Sequence, residues 1–189
     1  MKYALLSQVY QHPLISSDAL EKIINAHQKI ILKKGGFVLR AGETAGSYLV
    51  LESGLLRSFA YDYNGNDITI DFFSNNELVI EVLSLFQRIP SEENIQALTD
   101  CVCWEIDFAV FQELYHSIPG FSEWGRFWMT GKLFQSKQRS LEIITTSAKD
   151  RYESLIKEKP QIILQSPLKY IASYLGITDT SFSRIRKEI

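Results

Sequence analysis

Little in this sequence can carry redox or metal chemistry. Among 189 residues there are two cysteines, Cys101 and Cys103, and three histidines. The cysteines stand two apart in CVCWEID, so on a strand they share one face and cannot staple distant segments. They read as buried strand residues of a protein kept in a reducing compartment. A four-cysteine iron–sulfur set is excluded by count. His12, His27 and His116 are scattered and make no H-x-x-x-H or HExxH spacing, so no metal site and no cofactor are expected. No G-x-S-x-G elbow occurs, and the glycines between 35 and 54 form turns, not a Walker loop or a dinucleotide fingerprint. An enzyme is not expected. No apolar run approaches the roughly 18–20 residues of a membrane span, and MKYALLSQVYQHPL is too short and polar for a secretory signal. The expected location is the cytoplasm, without membrane contact.

A large excess of charge is also missing, the net value being −2. Its distribution is uneven, however. Residues 147–189 hold eight Lys/Arg against five Asp/Glu, whereas the rest hold 12 against 17. A mildly basic C-terminal piece suits a polyanionic partner that the N-terminal piece does not meet. With 46% apolar and 22% charged residues, a packed globular core is expected.

The chain changes texture twice. SSDALEKIINAHQKI has a serine cap and helical spacing. From Lys33 glycines punctuate short alternating runs, FVLR, YLVLES and LLRSFAYDY, and Asn64-Gly65 sits between two of them as a hairpin signal. DITIDFF and a last strand in ALTDCVCWEID complete a pattern that predicts a small antiparallel barrel or jelly roll. NNELVIEVLSLFQRIPSEEN interrupts it as a short helix and loop, a natural place for a pocket. After Asp107, a cap for FAVFQELYHS, everything is helical. Pro119-Gly120 breaks that helix, and a long one runs from Phe121 to about Thr145. Its stripe of Phe121, Trp124, Phe127, Trp128, Gly131 and Phe134 must be covered. The cover is the protein's own barrel, the same helix of a second subunit, or a mixture of both, and the mixture is favoured. SAKDRYESLIKEK is a helix stopped by Pro160.

The closing stretch SPLKYIASYLGITDTSFSRIRKEI predicts two helices around a tight turn. Ser166-Pro167 reads as a helix start. Leu168, Ile171, Ala172 and Leu175 form an inner stripe, and Gly176 supplies a left-handed stop. Thr178 caps the second helix and Asp179 suits its positive end. Phe182, Ile185 and Ile189 face inward, which turns Thr180, Ser181, Ser183, Arg184 and Lys187 outward. A helix-turn-helix places that part of its second helix in the DNA major groove. Arg184 suits a guanine edge, the hydroxyls suit bases or phosphates, and Lys169 and Lys187 suit phosphates. Arg186 points sideways and serves the same purpose.

The whole layout resembles the Crp–Fnr superfamily of bacterial transcription regulators, most specifically in the closing stretch, where Arg184 stands in the register of the family's recognition-helix arginine counted from Thr178. The resemblance implies an α+β fold: an N-terminal antiparallel β-roll (a double-stranded β-helix of jelly-roll type) with flanking helices over residues 1–120, a long dimerisation helix over 121–146, and an all-α helix-turn-helix domain over 147–189. It implies a homodimeric, sequence-specific regulator on double-stranded DNA, with a contact to RNA polymerase. The alternative is a ligand-binding or protein-interaction module whose helical end docks a protein.

Two departures from the family pattern stand out. Members that bind cyclic AMP carry Gly-Glu at the start of the phosphate cassette and Arg followed by Ser or Thr near its end. Here Asn75-Asn76-Glu77 and Ser91-Glu92-Glu93-Asn94 occupy the matched places, and carboxylates beside a phosphate repel it. Cyclic AMP is therefore not the expected effector. Glu77, Glu92, Asn94 and Ser136 are the pocket candidates for another one. The second departure is that no β-hairpin wing follows the recognition helix, which shifts the expected demand for affinity onto Arg184, Arg186, Lys187 and the dimer.

Overall fold

Ser16 closes the N-terminus of its helix as the sequence predicts, its hydroxyl accepting from the Ala19 amide at 3.2 Å. A computed structural model describes residues 2–188, opening with α1 (Lys2–Val9) and α2 (Ser17–Asn25). Helix α2 is shorter than its periodicity suggests. Residues 28–32 leave the helical pattern because they pair with a distant strand, from Gln28↔Glu105 to Leu32↔Cys101, and tertiary pairing overrides local propensity.

The described residues then form β1 (Gln28–Leu32), β2 (Phe37–Leu39), β3 (Ser47–Ser53), β4 (Leu56–Tyr61), β5 (Asp67–Phe73), β6 (Leu78–Val79), α3 (Val82–Gln87), β7 (Asn94–Ala97) and β8 (Cys101–Asp107). They make two antiparallel sheets, ordered β1-β8-β3-β6 and β2-β7-β4-β5. The predicted single strand ALTDCVCWEID is thus two, one in each sheet. Its break is at Asp100, whose carboxylate accepts from Lys33 Nζ (2.8 Å) and the Lys34 amide (2.9 Å). Residues of both sheets, among them Leu49, Leu51, Leu56, Phe73, Ile95, Cys101 and Cys103, meet in one core. Burial pushes both thiols up, Cys103 to about 12, which makes them poor nucleophiles.

Asp107 caps α4 (Phe108–Ser117) through the Ala109 and Val110 amides. The long helix α5 (Pro119–Thr145) starts two residues before the predicted point, since Pro119 occupies its first turn, where a missing N–H costs nothing. Gly120 is required there: a Cβ would lie 2.1 Å from the Leu14 carbonyl oxygen. Phe121 is fully buried, and Trp124, 5% exposed, donates from Nε1 to the Val9 carbonyl at 2.8 Å. Both belong to the chain's own core, so the predicted aromatic stripe divides along its length. Phe127 (76% exposed) and Phe134 (68%) are left uncovered, with Gly131 exposed between them and Trp128 half-buried.

The chain ends in α6 (Ala148–Glu158), α7 (Pro160–Gln165), α8 (Leu168–Tyr174) and α9 (Asp179–Ile185). Pro160 both stops one helix and starts the next. Ser166 does not cap α8; its amide still bonds Ile162 to close α7, and Pro167 takes the cap position without a side-chain bond. Leu168 is 44% exposed, which narrows the inner stripe to Ile171, Ala172 and Leu175. These pack with Tyr152, Leu155, Ile162 and Phe182, but also with Leu55, Phe72 and Leu98 of the roll. The C-terminal helices and the roll therefore share a second core. Among the described residues no helix is long and apolar enough to cross a membrane.

Candidate nucleic-acid interface and effector cleft

The α8–α9 turn is built by main-chain geometry. Gly176 has φ +71, and its amide bonds the Ser173 carbonyl while the Ile177 amide bonds Ala172, each at 3.0 Å. This is the double bond of a Schellman stop. Arg151 Nη2 adds a bond to the Leu175 carbonyl at 2.8 Å. Thr178 then caps α9 by accepting from the Ser181 amide at 3.3 Å, and Asp179 sits in the first turn. Phe182 anchors α9, its ring edge-on to Tyr152 at 4.9 Å.

With Phe182 inward, Thr178, Asp179, Thr180, Ser181, Ser183, Arg184, Arg186 and Lys187 are all exposed, as is Lys169 on α8. Ile185 is half-buried, and Ile189 lies outside the described residues. Among the described residues no carboxylate pairs with Arg184, Arg186, Lys187 or Lys169. The Lys169 ammonium lies over the Tyr170 ring at 4.9 Å. The outer face of α9 thus presents hydroxyls and Arg184, and because the helix ends at Ile185, earlier than predicted, Arg186 and Lys187 stand in the turn that follows it.

A cleft of about 990 Å³ opens between the roll, α5 and the C-terminal helices. From the roll come Ser58, Asp71, Glu77, Glu81 and Glu93; from α5 come Lys132, Ser136 and Arg139. Lys159 and Tyr174 close the third side. The cations are engaged: Lys159 with Glu77 at 2.7 Å, Lys132 near Asp71 at 3.9 Å, and Arg139 with the carbonyls of Ile70 and Tyr174. Burial pushes the Glu93 carboxyl above the usual carboxylate range, and the nearby Glu81 and Asp71 add to this against a hydrogen bond from Ser58.

Of the predicted pocket residues, Glu77 and Ser136 line the cleft. Glu92 does not, being exposed outside it. Nor does Asn94, which is buried with its amide oxygen accepting from the Ala41 amide at 3.1 Å and so holds a turn. Asn75-Asn76-Glu77 is itself a turn, with Asn76 at φ 70. The residue that opens the short helix is Glu81, unnamed in the sequence prediction, whose carboxylate caps α3 through the Leu83 (3.1 Å) and Ser84 (2.5 Å) amides. The signal was an acid directly before the apolar run VLSLFQ. Ser91, the first residue of the stretch Ser91-Glu92-Glu93-Asn94, is buried and bonded within its own loop, accepting from the Glu93 amide and donating to the Glu93 carbonyl.

Residues 29–117 match the family model for the cyclic nucleotide-binding domain. The chain is 27% identical over 180 residues to the transcriptional activator protein anr of Pseudomonas aeruginosa, covering 89% of this chain and 72% of that one. In fold it is similar to FixK2 from Bradyrhizobium japonicum (TM-score 0.75, 15% identity, 86% of this chain and 83% of that one). It is also similar to a putative regulator of the crp/fnr family from Eubacterium rectale (TM-score 0.72, 20% identity, 95% and 86%).

Proposed function

We propose that this chain, whose residues 29–117 match the cyclic nucleotide-binding domain and which is 27% identical to a transcriptional activator, is a cytoplasmic, homodimeric regulator of the Crp–Fnr superfamily that reads double-stranded DNA through α9 and does not respond to cyclic AMP. The observation that carries the DNA reading is the exposed row Thr180, Ser181, Ser183 and Arg184 on a helix held from behind by Phe182 and the Gly176 turn, with Lys187 exposed in the turn that follows it. Arg184 reaches a base edge, and Lys169, Arg186 and Lys187 meet phosphates. Phe127, Phe134 and Leu141 stand seven residues apart on the uncovered side of α5, the repeat of a helix pair. A second copy on that stripe sets two recognition helices for half-sites about 34 Å apart.

The cyclic AMP reading rests on charge. The cleft's roll-side wall carries Asp71, Glu77, Glu81 and Glu93, and its cations already have partners. A calorimetric titration is expected to show no heat with micromolar cyclic AMP, and micromolar binding would overturn this part. For DNA, fluorescence anisotropy with random duplex across a salt series is expected to show affinity falling steeply as salt rises. Absence of binding at low salt would favour a helical end that docks a protein. A polymerase contact is a further expectation of the family and is checked by co-purification on promoter DNA.

A further inference from the structure

The strand β5 is one of the two edges of its sheet, and an edge strand presents unpaired main-chain groups. Three of those in β5 are taken by C-terminal elements. The Thr69 amide donates to Ser173 Oγ on α8 at 3.2 Å, the Ile70 carbonyl accepts from Arg139 of α5, and the Phe72 carbonyl accepts from Lys159 at 3.4 Å. Beside this edge Arg57 is 1% exposed. Its guanidinium donates to both Asp67 carboxylate oxygens at 2.6 Å and to the Thr69 hydroxyl at 3.1 Å. The guanidinium carbon lies 4.0 Å from the Phe59 ring centre and 3.4 Å from that of Tyr170. Tyr170 is the one member of this box that comes from α8; without it the ion pair is open to water on that side. Phe72 and Tyr174 meet edge to face at 5.1 Å along the same seam.

We propose that Tyr170, seconded by Ser173, is a positioning residue: it latches the first helix of the reading unit to the edge of β5, so that the roll sets the orientation of α9. The consequence for DNA rests on the reading of α9 given above. Two recognition helices must arrive together at fixed spacing, and an orientation already held removes part of the ordering cost of binding. Tyr170 is half-buried with its ring stacked on Arg57, and the same ring supports the Lys169 ammonium at 4.9 Å, so Tyr170→Phe, which keeps both contacts, is the control for any effect through Lys169. Asp71, Arg139, Lys159 and Tyr174 belong both to the seam and to the cleft wall. An occupant of the cleft therefore bears directly on the latch.

The test uses the full chain with Tyr170→Ala and Tyr170→Phe. Amide exchange by mass spectrometry, without DNA, reads residues 67–73 against two controls, 101–107 in the middle of the other sheet and 148–158 in α6. The phenylalanine variant, which keeps the stack, is expected to match the wild type. The alanine variant is expected to exchange about tenfold faster at 67–73 only, as a local opening. On a labelled duplex selected from random DNA by the wild type, the alanine variant is expected to bind roughly tenfold more weakly and the phenylalanine variant equally well. Unchanged exchange in Tyr170→Ala overturns the latch, and faster exchange with unchanged DNA affinity overturns its positioning role. A wild type that binds no DNA overturns the DNA reading while exchange still judges the seam. Should Tyr170→Ala lose protection at 148–158 as well, Ser173→Ala takes its place, with the same criteria.

Discussion

Lys159 Nζ lies 2.7 Å from a Glu77 carboxylate oxygen, joining the start of α7 to the turn before β6. Both side chains are about three-quarters covered. Burial presses the Lys159 ammonium down, but Glu77 and then Asp71 outweigh it and the net shift is upward. A raised lysine stabilises the fold fully below its ordinary 10.5 and loses that contribution only as pH climbs past it. The pair is therefore intact at neutral pH. Glu77→Gln is expected to cost about 1–2 kcal/mol, less than a fully buried pair because solvent reaches part of both groups. A urea-unfolding cycle with Lys159→Met measures the coupling, and zero coupling would mean the contact contributes nothing.

Arg184 on α9 and Lys187 in the turn that follows it are both exposed and are expected to act differently. On the proposed DNA reading, Arg184→Ala is expected to cost about 1–3 kcal/mol at the operator while relaxing preference at one position. On the same reading, Lys187→Ala is expected to weaken all sequences alike and to lower the salt slope by about one. Anisotropy on operator and scrambled duplexes separates the two. Operator binding unchanged in Arg184→Ala would place the recognition face elsewhere.

Much of this was legible in the sequence where one local rule acts alone. The Gly176 stop, the Thr178 and Asp107 caps and the Asn64-Gly65 hairpin each depend on neighbours a few residues away. What was illegible depends on distant partners. Residues 28–32 keep helical spacing yet pair with β8, and the aromatic row of α5 gives no sign of where the roll stops covering it. Arg57 is the clearest case: in LLRSF it looks like a solvent-facing strand residue, and only Asp67, Phe59 and Tyr170 together make its burial tolerable. On the cleft, Glu77 was found for the wrong reason, as a cassette acid, when its partner is Lys159.

That division of the α5 row makes two neighbouring aromatics separable by experiment. Phe134→Asp places a charge on the uncovered stripe and is expected to leave the melting of the roll intact while dissociating the proposed dimer in sedimentation. Trp124→Ala empties a core site and breaks the bond to the Val9 carbonyl, so a loss of about 3–5 kcal/mol is expected. A monomeric wild type, or a dimer indifferent to Phe134→Asp, would move the interface off this stripe.

His27 links the N-terminal helices to the roll through a chain of polar atoms in an otherwise apolar core. Its Nδ1–H donates to the Ile23 carbonyl at 2.8 Å, its Nε2 accepts from the Tyr10 hydroxyl at 2.8 Å, and Tyr48 completes the chain at 2.9 Å. Burial lowers its pKa from 6.5 to about 4, against a smaller upward effect of the Ile23 bond and with a downward one from Lys2. The unfolded chain therefore binds this proton at a higher pH than the native one. The stabilisation is complete above 6.5 and is lost as pH falls toward 4, by roughly 3 kcal/mol at most. Protonation would also turn Nε2 into a donor, so the Tyr10 hydroxyl would have to accept from it and donate to Tyr48 instead. The urea midpoint is expected to fall between pH 7 and 4 more steeply in the wild type than in His27→Gln, which cannot titrate. Carboxylates contribute to both slopes alike, so the difference isolates His27. Parallel slopes would mean that His27 is charged in the native core.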